Sequence, residues 1–294
     1  MIPIISSPQW GQINYENIIH HSTTYGAVLL KNWCNNVDEF YDIGYLCNLK
    51  QYDYIGGAAP RKLVTKKVYT ANESPPTESI PFHHELAQNP NPPKYIIFYC
   101  DIPPIVDGKT LLLRSDLFFD YLSSNLPSVI RKLSNGVHYT RTMPEKEDIS
   151  SPIGRSWRDT FLCNTREEAE YQMTLDGMSW SWLPNGDLRT TTKAIPAYRR
   201  HTKSGKYVFH NSIIAASMGW KDTRNDPTKA VTYADGSPFN AEDIKCMHDY
   251  TKKNQIKFNW QKNDVLIVDN YLMMHARQPF PVGSKRRILV SLWD

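Results

Sequence analysis

Apolar positions in this chain gather in short runs closed off by turn formers. Tyr95 to Asp101 (Y-I-I-F-Y-C-D) is rich in aromatic and β-branched residues and lies between prolines, a pattern that predicts a strand. Asp264 to Asp269 and Arg287 to Trp293 read the same way, as does the apolar run within Tyr25 to Trp33. Shorter strands are expected around Leu63 to Tyr69, Lys109 to Leu113, Gly136 to Met143, Met178 to Trp182, Leu188 to Thr192 and Ala197 to Arg200. Pro184-Asn185-Gly186 has the chemistry of a hairpin turn, and after a turn at Ser204-Gly205 the segment V-F-H-N-S-I is expected to continue extended. Helical spacing marks Asn36 to Lys50, Leu117 to Leu133 with an interruption at Pro127, and Ala241 to Lys253. Many short strands with few helices argue for a β-sandwich or jelly roll over alternating βαβ units.

Composition narrows the class without changing that picture. With 294 residues, 40% hydrophobic and 22% charged, the chain can bury one large core, and a single domain over 1–294 is expected. The net charge of +4 comes from scattered residues, apart from Lys285-Arg286-Arg287, so no nucleic-acid stripe is expected. No long apolar stretch and no secretory leader pattern occurs, so neither membrane insertion nor secretion is expected. Five widely spaced cysteines without a C-x-x-C pair read as reduced thiols of a cytoplasmic protein. A G-x-G-x-x-G or phosphate-cradling glycine loop is missing, which makes a nucleotide cofactor less expected.

The chemistry concentrates in two places. Pro81-Phe-His-His-Glu85 puts His83 and Glu85 at alternate positions, which an extended segment points to one side, with His84 directed away. His275 follows far along the chain in V-D-N-Y-L-M-M-H-A-R. Two histidines and one carboxylate on one face of an octahedron are the ligand set of non-haem iron(II) oxygenases, which leave the opposite face open. Taken alone, H-x-E is more often a surface pair.

The surrounding sequence changes that weighing. Gly26 to Leu30, Pro60-Arg61, Val68 to Pro76, Ile80 to Glu85, Tyr99 to Asp101, Gly108 to Thr110, Ser156-Trp157 with Phe161, Gly186 to Thr190, His201 to Asn211, Val268 to Asn270, His275 to Arg277, Pro279-Phe280 and Arg286 to Val290 follow one another in a family's order. The chain resembles, over nearly its whole length, the taurine dioxygenase-like (TauD/TfdA) iron(II)- and 2-oxoglutarate-dependent oxygenases. The resemblance implies a mainly β fold with flanking helices around a double-stranded β-helix, a jelly-roll or cupin-like core.

It also implies His83, Glu85 and His275 as metal ligands, with iron(II), 2-oxoglutarate and dioxygen as the reacting partners. Halogenating relatives leave the carboxylate position small, so an intact Glu85 disfavours halogenation. The family's arginine for the distal carboxylate of 2-oxoglutarate falls on Arg286 or Arg287, of which only one can enter a pocket and Arg286 is favoured. Thr110 stands at the family's hydroxyl position in D-G-K-T, although Asp107 replaces the usual first glycine. Arg61, His84, Asn211 and Arg277 are candidate substrate contacts; the competing role is packing or hydrogen bonding inside the fold for Arg61 and Asn211, exposure for His84, and support of the groups around the ligands for Arg277. The implied activity is removal of hydrogen from an unactivated C–H bond of a small, amino-acid-like molecule. Hydroxylation, desaturation or oxidative ring closure of the kainoid type would follow, with succinate and carbon dioxide as coproducts. Two alternatives are an oxygenase of a protein or carrier-bound substrate and a binding protein that has lost its chemistry.

Overall fold

The computed structural model describes residues 2–6 and 14–294; part of the N-terminal decapeptide, 7–10, lies outside them. Two sheets are stacked at its centre. The larger runs Ile4–Ser6, Ala27–Lys31, Val265–Asp269, Tyr95–Ile102, Arg287–Trp293, Val68–Thr70 and Leu63–Thr65, with Gln51–Tyr52 also paired to Arg287–Trp293. The smaller runs Ile256–Lys257, Thr110–Arg114, Met273–Arg277 and Ile80–His83.

The two-residue period of a strand explains why the central runs are apolar throughout. Ile96 and Phe98 face inward with Leu266, Val268 and Val290, and meet Leu112 and Met273 of the smaller sheet. Their neighbours Ile97, Tyr99, Val265, Ile267 and Leu289 face the other way, against Ile18 and the helical Phe40 and Ile43. A strand buried on both faces loses the polar alternation of a surface strand. On the far side of the smaller sheet, Leu111, Leu113, Met274 and Ala276 pack on Phe118, Leu122 and the strand residue Tyr139. The architecture is therefore sheets with flanking helices, as expected.

Helix ends follow local chemistry. Asn36 caps Val37–Leu46 by accepting from the Glu39 amide, and Pro127 opens Pro127–Leu133 after Ser115–Asn125 closes, where the sequence places the interruption. Ala241–Asn254 carries Glu242 and Asp243 in its first turn and Lys252 and Lys253 in its last, matching the helix dipole.

Several expectations are corrected. Leu63 to Tyr69 is a hairpin of two strands with Lys66 at φ 48° in its turn, and the segment after Phe209 becomes the helix Ile213–Gly219. The helices Tyr15–Tyr25 and Arg166–Asp176 were not anticipated. No helix among the described residues is long and apolar enough to cross a membrane, and all five cysteines are free thiols.

The Val37–Leu46 helix lies so close to the last strand that a β-carbon at Gly44 would stand 2.2 Å from the ring of the fully buried Trp293. Gly44→Ala is expected to lower stability by about 1–3 kcal/mol, read as a drop in the urea midpoint at unchanged slope.

Candidate active site

Strand pairing brings the remote histidine to the proximal one. His275 is the direct partner of His83 across the antiparallel pair, and their ring centroids lie 4.2 Å apart. Met273, two residues before His275, faces the space between the sheets, so His275 shares that face, with the Phe98 ring 5.4 Å away. Glu85 arrives differently from the expected alternation. The strand ends at His83, and Glu85 begins a turn whose next residue, Leu86, has φ 54°. Asn270 holds that turn: its Oδ1 accepts from the Glu85 amide at 2.8 Å, and its Nδ2 donates to Glu85 O and Pro93 O.

One donor atom from each of His83, Glu85 and His275 lies within 4.8 Å of the others. His83 Nδ1 is 2.9 Å from the Pro81 carbonyl, which makes it the protonated nitrogen and leaves the Nε2 lone pair free. His275 Nε2 stands 3.7 Å from Glu85 Oε2, and its buried Nδ1 has no partner among the described residues. Burial lowers the pKa of both imidazoles, and for His275 the neighbouring His83 adds to the effect. Two neutral imidazoles and a carboxylate converging on one point fit a divalent metal with nitrogen and oxygen preference.

The cavity beside this triad is about 120 Å³ and reaches Thr110, Arg286 and Arg61. Arg286 donates from Nε to Gly108 O at 2.7 Å and from Nη2 to Thr110 Oγ1 at 3.4 Å, while Trp260 Nε1 donates to the same hydroxyl at 3.0 Å. Burial, then Arg277, pushes the Arg286 pKa down to about 9, the mark of a cation without a carboxylate beside it.

Arg287 turns out of the cavity. Its side chain is 44% exposed and pairs with Asp101 at 3.2 Å, which removes it from the set of pocket residues. His84 borders the cavity, but its ring is buried, with Nε2 at 2.8 Å from Ser115 Oγ and Nδ1 against the Asn211 backbone. Asn211 spends its side chain on Ala197 O and the Ile213 amide, so it ties the fold together instead of facing a ligand. Arg277 lines the cavity, but its guanidinium holds the loop carbonyls of Ser74, Pro75 and Glu78. Arg61 stays at the cavity wall, 2.8 Å from Glu85 Oε2. Sequence reasoning gave no role to Asn270, Trp260 or Tyr54, whose ring lies under Arg61.

The model of the taurine catabolism dioxygenase TauD/TfdA family matches residues 5–293. The chain belongs to the TauD/TfdA family of dioxygenases. A clavaminate synthase-like protein of Arabidopsis thaliana is 38% identical to this TauD/TfdA member, covering 99% of this chain and 89% of its own. The dapdiamide synthesis protein DdaC of Enterobacter agglomerans is 26% identical, covering 92% and 82% respectively. Among solved structures, a taurine dioxygenase from Burkholderia xenovorans superimposes with TM-score 0.56 at 11% identity, over 100% of this chain and 86% of that one. PvcB from Pseudomonas aeruginosa does so with TM-score 0.53 at 12% identity, over 99% and 86%. As a TauD/TfdA member the chain is a dioxygenase of the 2-oxoglutarate-dependent class, and the family implies iron(II) as its metal.

Four histidines whose surroundings oppose protonation give the protein an acid limit. Burial holds His84 down to about 3, His210 and His275 well below their ordinary value, and His83 below it. In the unfolded chain each titrates near pH 6.5, so below that pH the unfolded state takes up protons that the folded state refuses. Stability of the metal-free protein is therefore expected to fall from about pH 6.5 downward, by up to about 1.4 kcal/mol per pH unit for each such histidine. Urea midpoints measured at pH 7.5, 6.5 and 5.5 check this.

Proposed function

We propose that this protein is an iron(II)- and 2-oxoglutarate-dependent oxygenase of a small, amino-acid-like molecule. His83, Glu85 and His275 would hold the metal, and Arg286 with Thr110 the distal carboxylate of 2-oxoglutarate. The observation that carries the reading is the convergence of three donor atoms from distant segments within 4.8 Å, beside a cavity that contains a buried arginine. Bound iron with 2-oxoglutarate and dioxygen supplies an oxidant strong enough for an unactivated C–H bond, with succinate and carbon dioxide as coproducts.

The chain's own residues bind, orient and exclude water. Pro81 O fixes the His83 tautomer, Asn270 fixes the Glu85 backbone, and the Phe98 ring borders His275. Arg286 offers a fixed positive charge at the far end of the cavity, where a carboxylate restores what burial costs the guanidinium. The pair of sheets around this site is read as the family's double-stranded β-helix, in one domain. Relatives named for dapdiamide synthesis and for likeness to clavaminate synthase favour a biosynthetic role on a free small molecule. Hydroxylation, desaturation and ring closure remain the candidate outcomes of one initial hydrogen abstraction.

Oxygen-free titration of the metal-free protein with iron(II) and then 2-oxoglutarate tests the reading. A weak visible charge-transfer band is expected only when both are present; its absence sinks the proposal. Mass spectrometry of an amino-acid-derived panel then assigns the outcome, about +16 for hydroxylation and about −2 for desaturation or ring closure.

A further inference from the structure

Arg61 carries more hydrogen-bonding capacity than the protein uses. Its side chain is only 5% exposed, and Nη2 donates to Glu85 Oε2. Nε and Nη1 are buried with no hydrogen-bond partner among the described residues. The guanidinium carbon lies over the Tyr54 ring, 4.1 Å from its centroid, and Arg61 lines the cavity beside Glu85. Buried polar groups are almost always satisfied, and a buried donor without an acceptor is costly. The missing acceptor is therefore to be sought in the cavity.

Charge points the same way. Arg155 lies over the same Tyr54 ring at 4.4 Å and donates to the backbone carbonyls of Tyr54 and Asp159. Arg141 donates to Gly57 O and Thr160 Oγ1. Burial lowers the pKa of both, Arg141 to about 10, and each guanidinium adds repulsion to the next: Arg61 acts on Arg155, and Arg155 on Arg141. The carboxylate that answers this cluster by direct contact is Glu85, which offsets the burial of Arg61. Once Glu85 shares its charge with a divalent metal, Arg61 is left short of negative charge, while Asp159 and Asp222 still act on Arg155 and Arg141.

We propose that the substrate carries a free carboxylate and that Arg61 holds it through the N–H groups that Glu85 leaves unused. The proposal rests on the reading of His83, Glu85 and His275 as an iron centre. It narrows the substrate class to amino acids and N-substituted conjugates that keep a free carboxylate, and away from esters, amides and amines without one. Arg141 and Arg155 do not touch the ligand; they supply positive potential behind it.

The test separates the two readings. Wild-type protein, Arg61→Lys and Arg61→Gln are loaded with iron(II) and 2-oxoglutarate without oxygen, and formation of the visible band is recorded first. L-aspartate, L-glutamate, L-2-aminoadipate and their dimethyl esters are then titrated in, and the shift of that band is followed. At least one acid is expected to shift the wild-type band at concentrations at least about ten-fold lower than its ester, with at least about ten-fold weakening in Arg61→Lys, which keeps the charge beside Glu85 but loses the planar fork. Arg61→Gln is expected to weaken the acid as much or more. Acids and esters acting alike, no acid shifting the band, or unchanged acid binding in both variants overturns the proposal and leaves the iron reading intact. If the wild-type protein forms no band, the iron reading falls and the proposal with it.

Discussion

His275→Ala is expected to lose iron(II) binding and turnover together while keeping the fold. Four ligands of a structural zinc site contribute about 10–16 kcal/mol, so one ligand in such a set carries about 3 kcal/mol, on the order of a hundred-fold or more in affinity. The imidazole of His275 gives little to the folded state beyond packing, since its Nδ1 has no partner among the described residues and burial works against its charged form. Its removal should therefore leave the urea midpoint of the metal-free protein within about 1–2 kcal/mol of wild type, the cost of a small buried cavity. Glu85→Ala should behave differently. It also abolishes iron binding, but it strands the buried Arg61 guanidinium, and breaking a buried ion pair from one side costs about 3–5 kcal/mol. Iron titration combined with denaturation of the metal-free variants distinguishes the two. Tight iron binding by His275→Ala, or by Glu85→Ala, would remove that side chain from the ligand set.

That asymmetry shows which parts of the site were readable before any coordinates. Ligand types and their order along the chain were legible because the chemistry dictates them, and pairing of His83 with His275 across two strands then supplies the proximity. Glu85 was expected on the same strand face, whereas it reaches the centre from a turn held by Asn270. Nothing local in V-D-N announces that an asparagine will bracket a backbone 185 positions away, because the bond exists only after the sheets have paired. His84 and Asn211 show a related point: proximity to a motif says nothing about where a side chain finds its hydrogen bonds, and both find theirs inside the fold.

Elements were legible in proportion to how uniformly they are buried. Tyr95–Ile102 and Val265–Asp269 are packed on both faces and read as unbroken apolar runs. Arg166–Asp176 buries only Ala169 and Met173, so its hydrophobic spacing is faint. Its readable signal lay at the ends, in the Thr165–Glu168 capping box and in Gly177. Met273–Arg277 lacks a plain apolar run because its inward positions include His275 and Arg277, polar residues placed where an ordinary strand would bury apolar ones.

The neighbouring arginines at the end of the chain give the sharpest contrast. Arg286→Ala is expected to raise the 2-oxoglutarate concentration for half-maximal band formation by on the order of a hundred-fold, because a charge-assisted contact is worth about 1.5–3 kcal/mol and its loss leaves the cosubstrate carboxylate in a buried, uncompensated setting. Arg287→Ala should change it by less than about two-fold, since an exposed pair such as that with Asp101 is worth about 0–1 kcal/mol and lies outside the cavity. Arg286→Lys should recover only part of the affinity. A lysine keeps the charge but loses the planar fork that now reaches Gly108 and Thr110 together. Thr110→Val tests the same end of the cavity independently: it removes the hydroxyl that receives both Arg286 and Trp260, and a several-fold weakening for 2-oxoglutarate with unchanged iron affinity is expected. Equal effects at Arg286 and Arg287 would show that overall surface charge, and not a placed guanidinium, draws the dicarboxylate in.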